Sequence, residues 1–212
     1  MDGLNLLKKD WKKRESDIPQ LSYDQIYKML WKRSSSIVKW IFVISILEFL
    51  FWALLTIFMA DIDYWTEMER INLKEFTVTV YVINYAVTFF FIYCFYKNYR
   101  KISSTDNVAG LMKNILRTRK TVKYYIGYIL LSTALITLIY TYFMMDYHAT
   151  NTVVEDMEKY SFTSIQWIKF AGIIIGGLAV FLGLLWLFYK VLYGILLRRL
   201  NKNYKELKKL EV

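Results

Sequence analysis

Residues 38–60 read VKWIFVISILEFLFWALLTIFMA, and this stretch decides the fold. Its 23 residues exceed the roughly 20 predominantly apolar residues that a spanning helix needs. Glu48 stands near its centre. A carboxyl group there costs a few kcal/mol on insertion scales, which the Leu, Ile and Phe neighbours can offset. Such a residue is either satisfied inside a helix bundle or functional.

Three further runs repeat the pattern. They are 76–96 (FTVTVYVINYAVTFFFIYCFY), 124–145 (YYIGYILLSTALITLIYTYFMM) and 167–189 (WIKFAGIIIGGLAVFLGLLWLFY), the last continuing as helix to about residue 200. With one proline and eight glycines in 212 residues, long helices meet few breakers. Lipid offers no partner for open backbone groups, so the spans are helical. The first 37 residues are polar and basic, so the first apolar run is expected to act as an uncleaved anchor. The expected fold is all-α, an integral membrane four-helix bundle with cytoplasmic amphipathic N-terminal helices. It divides into a helical tail (1–37), the four-span bundle (38–200) and a basic C-terminal tail (201–212).

Charge orients the spans. The segments 1–39, 97–123 and 190–212 carry 24 Lys and Arg, whereas the two other loops carry 4. The positive-inside rule therefore predicts both termini and the 97–123 loop in the cytoplasm. The acids lean the other way, giving +16 inside and −5 outside. This basic excess suits anionic lipid head groups as a partner. No groove-reading helix or stacking platform points to nucleic acid.

Each span carries a stripe at helical spacing. In the first it is Ile41, Ser45, Glu48, Trp52 and Thr56; in the second, Thr77, Tyr81, Asn84 and Thr88; in the third, Thr133, Thr137 and Tyr140. The fourth is made of small residues, Gly172, Gly176, Ala179 and Gly183. Polar groups in lipid turn toward protein and small residues let backbones approach, so all four stripes are expected to face inward. The GxxxG is read as intrachain packing, with a homodimer as the alternative. Glu48 and Asn84 fall at similar depth. A protonated Glu48 bonded to Asn84, Tyr81 or a hydroxyl of the third helix would be neutral and satisfied. The other reading is a proton- or cation-coupling carboxylate.

In the tail, Leu4, Leu7 and Trp11 form an apolar line on a helix otherwise rich in Lys and Arg. It suits either a membrane face or a cytoplasmic protein partner. A second helix starts at Ser22, where Ser22 and Gln25 have capping-box spacing. Another is expected along Val108, Leu111, Met112 and Ile115, capped by residues 104–106 and running into the third span. A short helix is expected around 153–160. Cys94 and His148 are the single cysteine and histidine, so neither a disulfide nor a histidine-rich metal site is expected. No catalytic residues, metal or cofactor are assigned.

Residues 6–49, LLKKDWKKRESDIPQLSYDQIYKMLWKRSSSIVKWIFVISILEF, together with the four-span layout, resemble a family of small bacterial inner-membrane proteins. Those proteins are loosely associated with extracytoplasmic-function sigma factors. The resemblance implies an inner-membrane, anti-sigma-like regulator whose tail binds a sigma factor. No zinc-binding anti-sigma motif can be matched. Two other functions compete. A membrane glutamate in the first of four spans is similar to the small multidrug transporters, implying a proton-coupled transporter using Glu48, although those chains are much shorter. The third is an accessory subunit of a larger membrane complex.

Overall fold

The computed structural model describes residues 22–59, 62–105, 107–151 and 164–210. All described regular structure is helical: α1 (Tyr23–Met59), α2 (Ile62–Arg70), α3 (Lys74–Ser103), α4 (Val108–Asn151), α5 (Ser164–Leu192) and α6 (Gly194–Leu210). Four helices, α1, α3, α4 and α5, are long and apolar enough to cross a membrane.

Local chemistry sets the helix ends. The Ser22 amide donates to Gln25 Oε1 (2.9 Å) and the Gln25 amide to Ser22 Oγ (3.4 Å), the reciprocal pair of a capping box. The helix it starts then runs 37 residues without a break. Ser34, Ser35 and Ser36 do not interrupt it; Ser34 is buried and accepts from Asn203 Nδ2 at 3.0 Å. α2 ends in a Schellman turn. Asn72 takes φ 55°, the Leu73 amide donates to Met68 O, and the Asn72 amide donates to Glu69 O. The cap of α4 is Asn107, one residue beyond the expected 104–106. Its Oδ1 accepts from the Gly110 amide at 2.7 Å, while Ser104 bonds back to the carbonyls of α3. As expected, α4 then runs straight into the third span. The boundaries drawn at 37/38 and 200/201 fall inside α1 and α6. The tail helix with Leu4, Leu7 and Trp11 and the helix around 153–160 lie outside the described residues.

Packing is uneven along the helices. α1 lies chiefly on α3, α3 on α4, and α5 on α4; α6 wedges between α1 and α4. The buried stripe of α1 is Leu30, Ser34, Ile37, Val38, Ile41, Ser45 and Glu48, at helical spacing, and it stops at Glu48. On α4, Val108, Leu111, Ile115, Val122 and Tyr125 are buried, and Leu200 and Leu207 of α6 close the same core. Most of these residues lie beyond the apolar spans, at the end that carries the Lys and Arg. There, burial of apolar surface from water contributes about 25 cal/mol per Å².

That basic end is also latched by polar bonds. Trp31 Nε1 donates to Ile102 O (3.0 Å) and Tyr27 Oη to Thr105 O (3.2 Å), satisfying carbonyls at and just beyond the C-terminus of α3. Arg119 donates to Asn201 Oδ1 at 2.7 Å, tying α4 to α6.

The inward stripes of the first three spans hold, but the fourth does not. Gly172, Gly176, Ala179 and Gly183 are all exposed. A Cβ added at Gly172, Gly176 or Gly183 would meet nothing within 4 Å. The better-buried line of α5 is Ile174, Leu178, Leu182, Leu185 and Tyr189. The small-residue face of α5 meets no neighbour among the described residues, so it serves no close backbone approach there.

Candidate functional site

Where the buried stripe of α1 stops, three tyrosines converge on Glu48. Tyr125 of α4 donates to Oε1 at 2.9 Å, Tyr189 of α5 also donates to Oε1, and Tyr193, at the α5–α6 junction, donates to Oε2 at 2.7 Å. Glu48 is 6% exposed, and Tyr189 and Tyr193 are almost fully buried. A carboxylate accepts through two oxygens with about four lone-pair sites, and three of them are engaged here. Such bonds offset the cost of taking a carboxyl out of water.

The rings hold the hydroxyls in place. Tyr189 and Tyr193 stack at 6.2 Å with planes 12° apart, and Tyr125 stands edge-on to both. Phe91 and Phe95 of α3 pack against Tyr125 from the other side. A tyrosine has two side-chain torsions to fix, so a packed ring aims its hydroxyl at low entropic cost.

Beyond Glu48 the helices part around a cavity of about 420 Å³. Small-molecule sites run to roughly 300–1,000 Å³. Its floor is Glu48 with Tyr125 and Tyr189; its walls include Trp52 and Thr56 of α1, Tyr85 and Asn84 of α3, and Tyr128 of α4. Tyr64 of α2 and Tyr81 stand nearer the end that carries the acidic loops, their hydroxyls 3.4 Å apart. Burial, followed by this contact, raises the Tyr64 phenol above its ordinary range, so it remains a neutral hydroxyl. α5 contributes Phe181 and Leu185. It has no approach to α1 comparable with its packing on α4.

Two further polar pairs join α3 and α4 along the chamber. Tyr128 Oη donates to Asn84 Oδ1 (3.1 Å), and Tyr140 Oη to Thr77 Oγ1 (2.8 Å). Asn84 Nδ2 turns back to Val80 O at 2.9 Å. Of the expected partners of Glu48, Asn84 and Tyr81 therefore do not bond to it, whereas a hydroxyl of the third span does, that of Tyr125. Asn84 pairs with Tyr128, and Tyr81 with Tyr64. Similar depth brings Glu48, Asn84 and Tyr81 to one cavity, where they line the wall without meeting, while Phe49 of α1 packs on Tyr85 and Phe89 of α3 beside them.

Tyr125, Tyr189 and Tyr193 carry the site; Tyr125 is expected only as an unnamed hydroxyl of the third span, and Tyr189 and Tyr193 are not among the expected site residues. One signal for them exists in the sequence: Tyr189 and Tyr193 are four apart, on one helix face. A carboxylate, hydroxyls and aromatic faces around one space form an environment suited to an organic cation, through charge pairing and cation–π attraction.

A family model described as a domain of unknown function, DUF8845, matches residues 24–212. The chain belongs to that family. The matched region contains every residue of the chamber and stops short of Leu4, Leu7 and Trp11. No curated protein and no solved structure matches the chain.

Proposed function

We propose that this is a non-enzymatic multi-pass protein of the bacterial inner membrane that binds a small organic cation at Glu48, as a proton-coupled transporter. The observation that carries the reading is the buried carboxylate, held by three tyrosine hydroxyls at the floor of an aromatic chamber. Aromatic walls attract a quaternary or protonated amine by about 0.5–2 kcal/mol per well-placed ring. Glu48 supplies the opposite charge, and the proton it takes up when the cation leaves is the coupling ion. With the termini cytoplasmic under the positive-inside rule, the chamber faces the outside and the packed basic end closes the inside.

The regulatory reading rests on Leu4, Leu7 and Trp11 and a sigma-factor partner. It is independent of the chamber, and no contact among the described residues favours it.

The test uses benzyltrimethylammonium, which combines a quaternary charge with an aromatic ring. Titration calorimetry on the full chain in detergent should show saturable binding. Glu48→Gln, with helicity and gel-filtration profile retained, should weaken it about tenfold or more, equivalent to about 1.4 kcal/mol. Equal binding by the Gln variant, or no saturable binding by the wild type, would overturn the proposal.

A further inference from the structure

A second cavity, of about 340 Å³, lies on the basic end of α3 and is lined by Tyr93, Tyr96, Lys97, Arg100, Lys101 and Ser104. The helical repeat places these six on one side of the helix, aromatic first, then basic, then hydroxyl. Lys97 Nζ sits over the Tyr93 ring, 6.0 Å from its centroid. α4 returns beside this segment, since Asn114 Nδ2 reaches Lys101 O and Thr105 Oγ1. The return brings more positive charge: Arg117, Lys97 and Lys113 all act on Lys101. None of these groups takes part in an ion pair among the described residues, whose pairs are Arg70–Glu67, Lys74–Glu69 and Lys202–Glu206.

Like charges held together with no ion pair among the described residues repel one another, and that repulsion is relieved when an anion arrives. The position says which anion. Tyr93 and Tyr96 close the second apolar span, and exposed Phe89 and Phe90 continue the apolar surface below them. A phosphate reaching Lys97, Arg100 and Lys101 would thus have its acyl chains alongside phenylalanine. We propose that this pocket is a binding site for one anionic phospholipid, its phosphate held by Lys97, Arg100, Lys101 and Arg117 and its acyl chains lying along Phe89, Phe90 and Tyr93. The general attraction of basic loops to a charged leaflet is diffuse. This site differs in having a cavity lined by Lys97, Arg100 and Lys101, with Arg117 of α4 acting on Lys101 beside it.

Native mass spectrometry of the full chain, released from detergent with phosphatidylglycerol or phosphatidylcholine, tests it. The wild type should keep one phosphatidylglycerol at collision energies that strip phosphatidylcholine. Lys97→Gln/Lys101→Gln/Arg117→Gln should lower that retention at least fivefold. Lys205→Gln/Lys208→Gln/Lys209→Gln, which removes as much charge from α6, should leave it unchanged. The exposed pair Lys97→Gln/Arg100→Gln serves as a second variant, with an expected loss of at least threefold. Equal loss in the α6 control, or equal retention of phosphatidylcholine, would overturn the site. So would displacement of the lipid by millimolar inorganic phosphate, which would assign the pocket to free phosphate.

Discussion

The two ends of this molecule are built by different forces. At the basic end, α1, α3, α4 and α6 enclose Ile37, Ile102, Leu111, Ile115, Leu200 and Leu207, residues that lie outside the apolar spans. Water surrounds that end, so the hydrophobic effect holds it together. At the acidic end the helices lie where lipid tails are as apolar as leucine, and that driving force is absent. There the order comes from pairs such as Asn84–Tyr128 and Thr77–Tyr140, and the helices stand apart around a chamber. Glu48 marks the boundary. A cohesive end and a loose end in one chain allow a site to open without the protein falling apart.

Substitutions can break that comparison. Leu200→Ala, in the cohesive end, should have the largest effect, about 2–5 kcal/mol from lost transfer energy and the cavity left behind. Leu184→Ala, on the exposed side of α5, is its counterpart and should be nearly silent; thermal unfolding in one detergent compares them. Equal losses would mean that the acidic end is packed after all. At the boundary, Glu48→Leu removes the shared acceptor of three buried hydroxyls and should cost about 2–4 kcal/mol. Tyr193→Phe in the same background should then cost far less than it does in the wild type. Additive losses would show that the hydroxyls do not depend on the carboxylate. The smallest effect belongs to the loose end. Gly176→Ala meets nothing and replaces a poor helix former, so stability should stay level or rise by up to about 1 kcal/mol. A clear loss would reveal another chain against α5.

The spans are legible because their signal is local: length, apolarity and few breakers over some twenty residues. The start of α1 is equally legible, since the capping box is complete within Ser22–Gln25. Glu48 stands out for its cost in lipid. Its partners do not, because they lie 77, 141 and 145 positions away and no periodicity encodes such a meeting. A tyrosine near the end of a span looks the same in sequence whether it points to the head groups or turns inward, as Tyr124 and Tyr125 do side by side, one exposed and one buried. The glycine stripe misleads for a related reason. Small residues permit close approach, but they do not compel it, and the leucines on the opposite side of α5 offer more contact.

The unbroken course of α1 has a mechanical consequence. Its 37 residues form a rod of about 55 Å. Glu48 sits partway along it, with Trp31 and Tyr27 on the far arm gripping the end of α3. With no proline or helix break between them, the two arms belong to one continuous helix. Whatever enters the chamber and pushes on Trp52 or Glu48 therefore works one arm of a lever. With the packed stretch between Trp31 and Glu48 as its pivot, the other arm would press on the two latches, and occupancy at one end would reach a neighbour at the opposite end.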